Sequence, residues 1–130
     1  MGAVVVDPDR AVRSTGFNGF PRGVDDNVES RHSRETGAKY IWSSHAERNA
    51  IYYAARIGVP LQGCTMYVPW FPCTECAKGI IQSGIVEVVA YEPSTDDDKW
   101  SSEFLIVKEM FKEAGVVVRF IDKIRELTTG

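Results

Sequence analysis

Residues 85–122 limit the fold of this chain more than any other stretch. "IVEVVAY" at 85–91 is an apolar run of strand length, and "WSSEFLIVKEMFKEAG" at 100–115 spaces its apolar residues as an amphipathic helix. "VVVRFID" at 116–122 is a second β-rich run. Two strands joined through a helix pair in parallel, because the connection is too long for a hairpin. The chain therefore belongs to the α/β class.

The remaining segments extend that pattern. "GAVVVDPD" near the start is a short apolar run closed by Asp-Pro-Asp, which predicts a strand and a turn. "AVRSTGFNGF" at 11–20 predicts a second strand, paired with the first as a hairpin. Residues 21–43 are polar with little periodicity and read as a long loop, a feature more often functional than idle. In "SSHAERNAIYYAAR" at 43–56, Ala46, Ala50, Ile51, Ala54 and Ala55 recur at helical spacing. Ser43 or Ser44 is the expected cap, and Gly58 and Pro60 are stop signals. "CTMYVPW" at 64–70 predicts a strand, and "CTECAKGIIQSG" at 73–84 a helix entered after Pro72 and ended by Gly84. The order is β-β-α-β-α-β-α-β, with no internal repeat and no linker. A single domain over residues 1–130 is expected, folded as a three-layer α/β/α sandwich around a mixed five-stranded sheet.

Composition narrows the function. No apolar run in the 130 residues approaches the ~20 needed to span a bilayer. The start has no basic region followed by a long apolar core, so a cytoplasmic location is expected. A net charge of −3 disfavours a nucleic-acid partner. The acidic run "STDDDKW" at 94–100 reads as a solvated loop. Three cysteines, Cys64, Cys73 and Cys76, do not make a disulfide framework. Cys64 reads as a buried strand residue.

Cys73 and Cys76 stand three apart at the start of a predicted helix, so their sulfurs face one side. The helix N-terminus favours thiolates, which suits metal binding and redox chemistry alike. His45, one of only two histidines, also opens a helix. One His and two Cys suit Zn²⁺ and leave its fourth position open, as in catalytic sites. Water activated by zinc titrates near pH 7 and needs a proton acceptor beside the metal. Glu47 is the candidate. Residues at i and i+2 lie on opposite sides of a regular helix, so His45 and Glu47 converge only if His45 stands at the frayed start. His32 sits in a polar loop away from any cysteine, so no second zinc site is expected there.

"HAERNAI" at 45–51 and "PCTECAKGI" at 72–80 carry the His-x-Glu and Pro-Cys-x-x-Cys halves of the zinc deaminase signature. On these residues the chain resembles the cytidine/deoxycytidylate deaminase superfamily. "GFNGFP" at 16–21 and Asn49 are most similar to its dCMP deaminase branch. The resemblance implies zinc-dependent hydrolysis of dCMP to dUMP and ammonia, with Glu47 moving the protons. It implies that Asn18 contacts the sugar, that the Ala46 amide stabilises developing charge, and that Arg22 faces a 5′-phosphate. Arg31, Arg34 and Lys39 are further phosphate candidates. Trp70, just before the motif, is the tryptophan nearest the expected site. Relatives carry a helix ahead of the first strand, whereas here Met1 is followed at once by "GAVVV". Either that helix is absent or the sequence begins late; its absence would remove one packing layer against the sheet. A homo-oligomer is also implied. Rival readings are the same chemistry on cytidine, deoxycytidine, cytosine, guanine or tRNA adenosine, or a zinc-stabilised module without catalysis.

Overall fold

β1 (Gly2–Val6) and β2 (Val12–Phe17) form the opening hairpin. Asp7 holds its turn: the carboxylate accepts the Asp9 and Ala11 N–H groups at 2.9 and 3.0 Å and pairs with Arg13 Nε at 2.9 Å. The structure, a computed structural model, describes residues 1–93 and 98–121. β3 (Thr65–Tyr67), β4 (Glu87–Tyr91) and β5 (Val117–Ile121) complete a mixed sheet of order β2-β1-β3-β4-β5. β3, β4 and β5 run parallel, as the helical connections require. β1 runs against both neighbours, so antiparallel pairing extends beyond the hairpin to β3.

Among the described residues, four α-helices follow in chain order: α1 (Ala38–Trp42), α2 (Ala46–Ile57), α3 (Thr74–Gln82) and α4 (Asp98–Ala114). α4 begins inside the acidic run expected as a loop, of which residues 94–97 lie outside the described residues. The expected loop at 21–43 also needs correction, since it contains a 3₁₀ turn at Glu29–His32 as well as α1. Neither piece buries a residue, so neither leaves an apolar periodicity in the sequence. Aromatic contacts hold the segment: Phe20 stacks on His32 at 4.9 Å between centroids, and the Arg31 guanidinium lies 4.0 Å from the Trp42 ring centre. No helix among the described residues is long and apolar enough to cross a membrane.

Val5, Met66, Val88 and Val118 align across β1, β3, β4 and β5 and share one face of the sheet. Val5, Met66 and Val88 join Ala50, Ala54, Ile80, Val107 and Phe111 of α2, α3 and α4 in one core, with Val118 packed against it. On the alternate face Val4, Val117 and Ile121 are 36%, 58% and 38% exposed. On the same face Val6 and Val89, nearer the middle of the sheet, are buried.

Two packing details position the site. Ala46, Ala50 and Ala54 give α2 a buried stripe of small side chains, and Gly16 of β2 lies beneath it. A Cβ at Gly16 would stand 2.3 Å from the Ala46 carbonyl oxygen and 2.5 Å from the Ala50 nitrogen. The Ser14 hydroxyl donates to the Ala50 carbonyl at 2.6 Å. The helix thus rests directly on the strand backbone. On the other side, Phe71 packs edge-on to Phe104 and Phe111 of α4 and touches Phe120 of β5. Such a buried phenylalanine contributes roughly 3–5 kcal/mol, and it anchors the residues that lead into α3.

Candidate active site

His45 and Cys73 hold the same station in two helices. Each is the N-cap residue, with extended backbone: φ −72°, ψ 152° for His45 and φ −73°, ψ 172° for Cys73. Neither lies inside its helix, so the i, i+2 objection to a His45–Glu47 site does not apply. His45 is also the cap where Ser43 or Ser44 was expected. Its side chain caps nothing; the Ala46 N–H donates instead to Asn18 Oδ1 at 2.8 Å. Asn49 Nδ2 donates to the Phe17 and Ser44 carbonyls at 2.8 and 3.1 Å, and Gly19 bridges to Ser44. These bonds fasten the end of β2 to the start of α2.

His45 Nδ1 lies 3.5 Å from Cys73 Sγ and 3.4 Å from Cys76 Sγ, and the three donor atoms all fall within 4.8 Å of one another. A tetrahedral zinc with ordinary Zn–S and Zn–N lengths separates N from S by about 3.6 Å. The donor set fits zinc in spacing as well as in type. The thiols point the same way. Cys73 is pulled down to about 5, first by its hydrogen bond with the Cys76 thiol and then by the Cys76 N–H and His45. Cys76 is pushed up, first by that same pairing and then by burial. A thiol held down toward thiolate beside a second sulfur and an imidazole suits a dication, which binds the deprotonated form.

Glu47 stands on the first turn of α2, 2% exposed, and its Oε1 is buried with no hydrogen-bond partner among the described residues. Burial pushes its carboxyl above the ordinary range; its own backbone amide, His45 and Cys76 pull it part of the way back. A buried carboxyl oxygen without a partner is costly, and its place beside three metal donors makes Glu47 a candidate for a functional role.

The other expected residues are placed less uniformly. Asn18 and Ala46 meet each other, so the Ala46 N–H expected to face a developing charge is already engaged. Arg22 is exposed and makes no ion pair among the described residues. Arg31 is committed to Trp42 and to the Asp25 carbonyl at 2.8 Å. Trp70 is 65% exposed and Cys64 is buried; the side chain of Trp100 lies outside the description. Sequence reasoning missed Ser14, Gly16 and Glu103. The last accepts from Thr74, between the two cysteines, across 29 residues of chain. No local spacing signals that contact.

Comparison with known proteins agrees with this geometry. The family model for the cytidine and deoxycytidylate deaminase zinc-binding region matches residues 1–92. The chain is 40% identical over 122 residues to a protein of Aliivibrio fischeri described as an uncharacterized deaminase in the luxG 3′ region, covering 93% of this chain and 78% of that one. It is 38% identical over 127 residues to human deoxycytidylate deaminase, covering 95% and 68%. Among solved structures, the dCMP deaminase of cyanophage S-TIM5, in complex with dCMP and dUMP, aligns with a TM-score of 0.72 at 26% identity, over 92% of this chain and 79% of that one. The family model spans both halves of the motif that the fold brings to one point, and this chain belongs to the zinc-binding cytidine and deoxycytidylate deaminase family.

Proposed function

We propose that this protein hydrolyses dCMP to dUMP and ammonia, with zinc held by His45, Cys73 and Cys76 and with Glu47 as the catalytic proton carrier. The observation that carries the reading is Glu47: a buried, unpartnered carboxyl oxygen next to a three-donor metal group. Identities of 38–39% to deoxycytidylate deaminases over more than nine-tenths of the chain support the substrate. Zinc bound there supplies Lewis acidity and makes a nucleophilic water available at neutral pH. Glu47 accepts a proton from the attacking water and delivers it to ring N3 as the water oxygen bonds to C4. Glu47 then carries the second proton to the 4-amino group, the C4–N bond breaks, and ammonia leaves. A carboxyl raised above its ordinary range suits both transfers, because it gives up a proton as readily as it takes one.

Asn18, whose Oδ1 accepts the Ala46 N–H, is assigned to the sugar. Arg22, free of an ion pair among the described residues, is assigned to the 5′-phosphate. A homo-oligomer is expected to cover α1, where Tyr40 and Ile41 are 68% and 81% exposed. The test is ammonia release from dCMP, deoxycytidine, cytosine, guanine and adenosine, on protein of known zinc content. Preference for dCMP supports the assignment. Equal rates on dCMP and deoxycytidine would remove the phosphate contact, and turnover of a purine alone would replace the substrate.

A further inference from the structure

Cys73 does not hold the start of α3 alone. As the N-cap its sulfur accepts the Cys76 N–H at 3.5 Å, a long bond to a weak acceptor. The first amide of the helix, Thr74 N–H, is met from a different element. Glu103 Oε1, on α4, accepts that N–H at 3.0 Å and the Thr74 hydroxyl at 3.3 Å. A carboxylate at this place is also favoured by the helix dipole. Its mount is rigid: Phe104 and Val107, on the same helix, are 8% and 0% exposed, and Phe104 packs on Phe71, two residues before Cys73. Glu103 lies beyond residues 1–92, which the family's zinc-binding region covers.

We propose that Glu103 is a positioning residue of the zinc centre: by fixing the Thr74 amide and hydroxyl, it sets the backbone between Cys73 and Cys76 so that both sulfurs converge on His45. Thr74 is the residue next to one ligand and two before the other, so a rotation there moves Cys73 relative to Cys76. Two bonds to one carboxylate oxygen remove that freedom. The proposal rests on the zinc centre and not on the choice of substrate.

The test uses the full chain loaded with zinc, or with Co²⁺ for spectroscopy. Zinc release to a chromogenic chelator should be about tenfold faster in Glu103→Ala, the low end for groups that orient metal ligands. Its Co²⁺ form should show altered ligand-field and thiolate bands. Glu103→Gln keeps a carbonyl acceptor and should stay within about threefold of the parent. Should Glu103→Ala fail to fold, Thr74→Pro serves instead. It deletes both groups that Glu103 holds, proline is favoured at the first helical position, and Cys73 already has the extended backbone that precedes a proline. It should also release zinc about tenfold faster. Parental release rates and an unchanged Co²⁺ spectrum in the variant that folds would overturn the proposal. An equal loss of thermal stability with and without metal, at unchanged release, would overturn it too, leaving a structural cap. Turnover of dCMP plays no part in these readouts, so failure of the substrate assignment remains a separate result.

Discussion

Glu47 and Glu75 occupy equivalent places in two helices and meet opposite fates. Each stands two residues after a metal donor at the N-cap position of its helix, His45 in one case and Cys73 in the other. Glu47 is buried under the core face of α2, without a partner for Oε1 among the described residues, and burial raises its carboxyl. Glu75 is exposed and bonds Lys78 at 2.9 Å, and that hydrogen bond lowers its carboxyl. Spacing from the donor is identical, so spacing does not set an acid's proton affinity. Desolvation does, because it removes the water that would otherwise hold the charged form.

That contrast can be broken most directly at Glu47. Glu47→Gln should lower turnover of the deaminated substrate by about 10²–10⁴, the usual range for a lost general acid–base, while zinc content by elemental analysis stays at the parental level. Loss of zinc together with activity would move Glu47 from proton transfer to metal binding.

Gly16→Ala asks what buries Glu47. The added Cβ would meet the α2 backbone at 2.3 Å, and α2 would have to lift from β2. A destabilisation of about 1–3 kcal/mol is expected in denaturant unfolding. Asn18→Ala leaves the Ala46 N–H without its acceptor and should cost about 1 kcal/mol, again with zinc retained.

The partnered carboxylates complete the series. Glu75→Gln should change turnover by less than about twofold, as exposed pairs contribute little. Asp7, held low first by the Ala11 N–H and then by Arg13, has a folded-state pKa below its ordinary 3.8. Its contribution to stability is present above that ordinary value and is lost as pH falls through the folded one. Asp7→Asn should therefore flatten the fall of the denaturant midpoint below about pH 4. An unchanged profile would remove Asp7 from the acid response.

Much of the fold was legible because burial writes a period into the sequence. The Ala46, Ala50 and Ala54 stripe marked α2, and the helical spacing at 100–115 marked α4, which begins two residues earlier than expected. α1 was illegible because none of its residues is buried, so nothing constrains their order along the helix. The cap of α2 was misassigned to a serine because Asn18, 28 residues away, does what a local hydroxyl usually does. Glu103 was invisible for the same reason: its partner is far along the chain.

The donor set and its metal were determined by the sequence alone, because one His and a Cys-x-x-Cys pair admit few chemistries. The β-α-β order was determined there as well, since periodicity is a local property. Which carboxylate lost its water and which amides found acceptors were decided only by the tertiary structure. Each depends on desolvation by residues distant in the chain, and no local spacing encodes that.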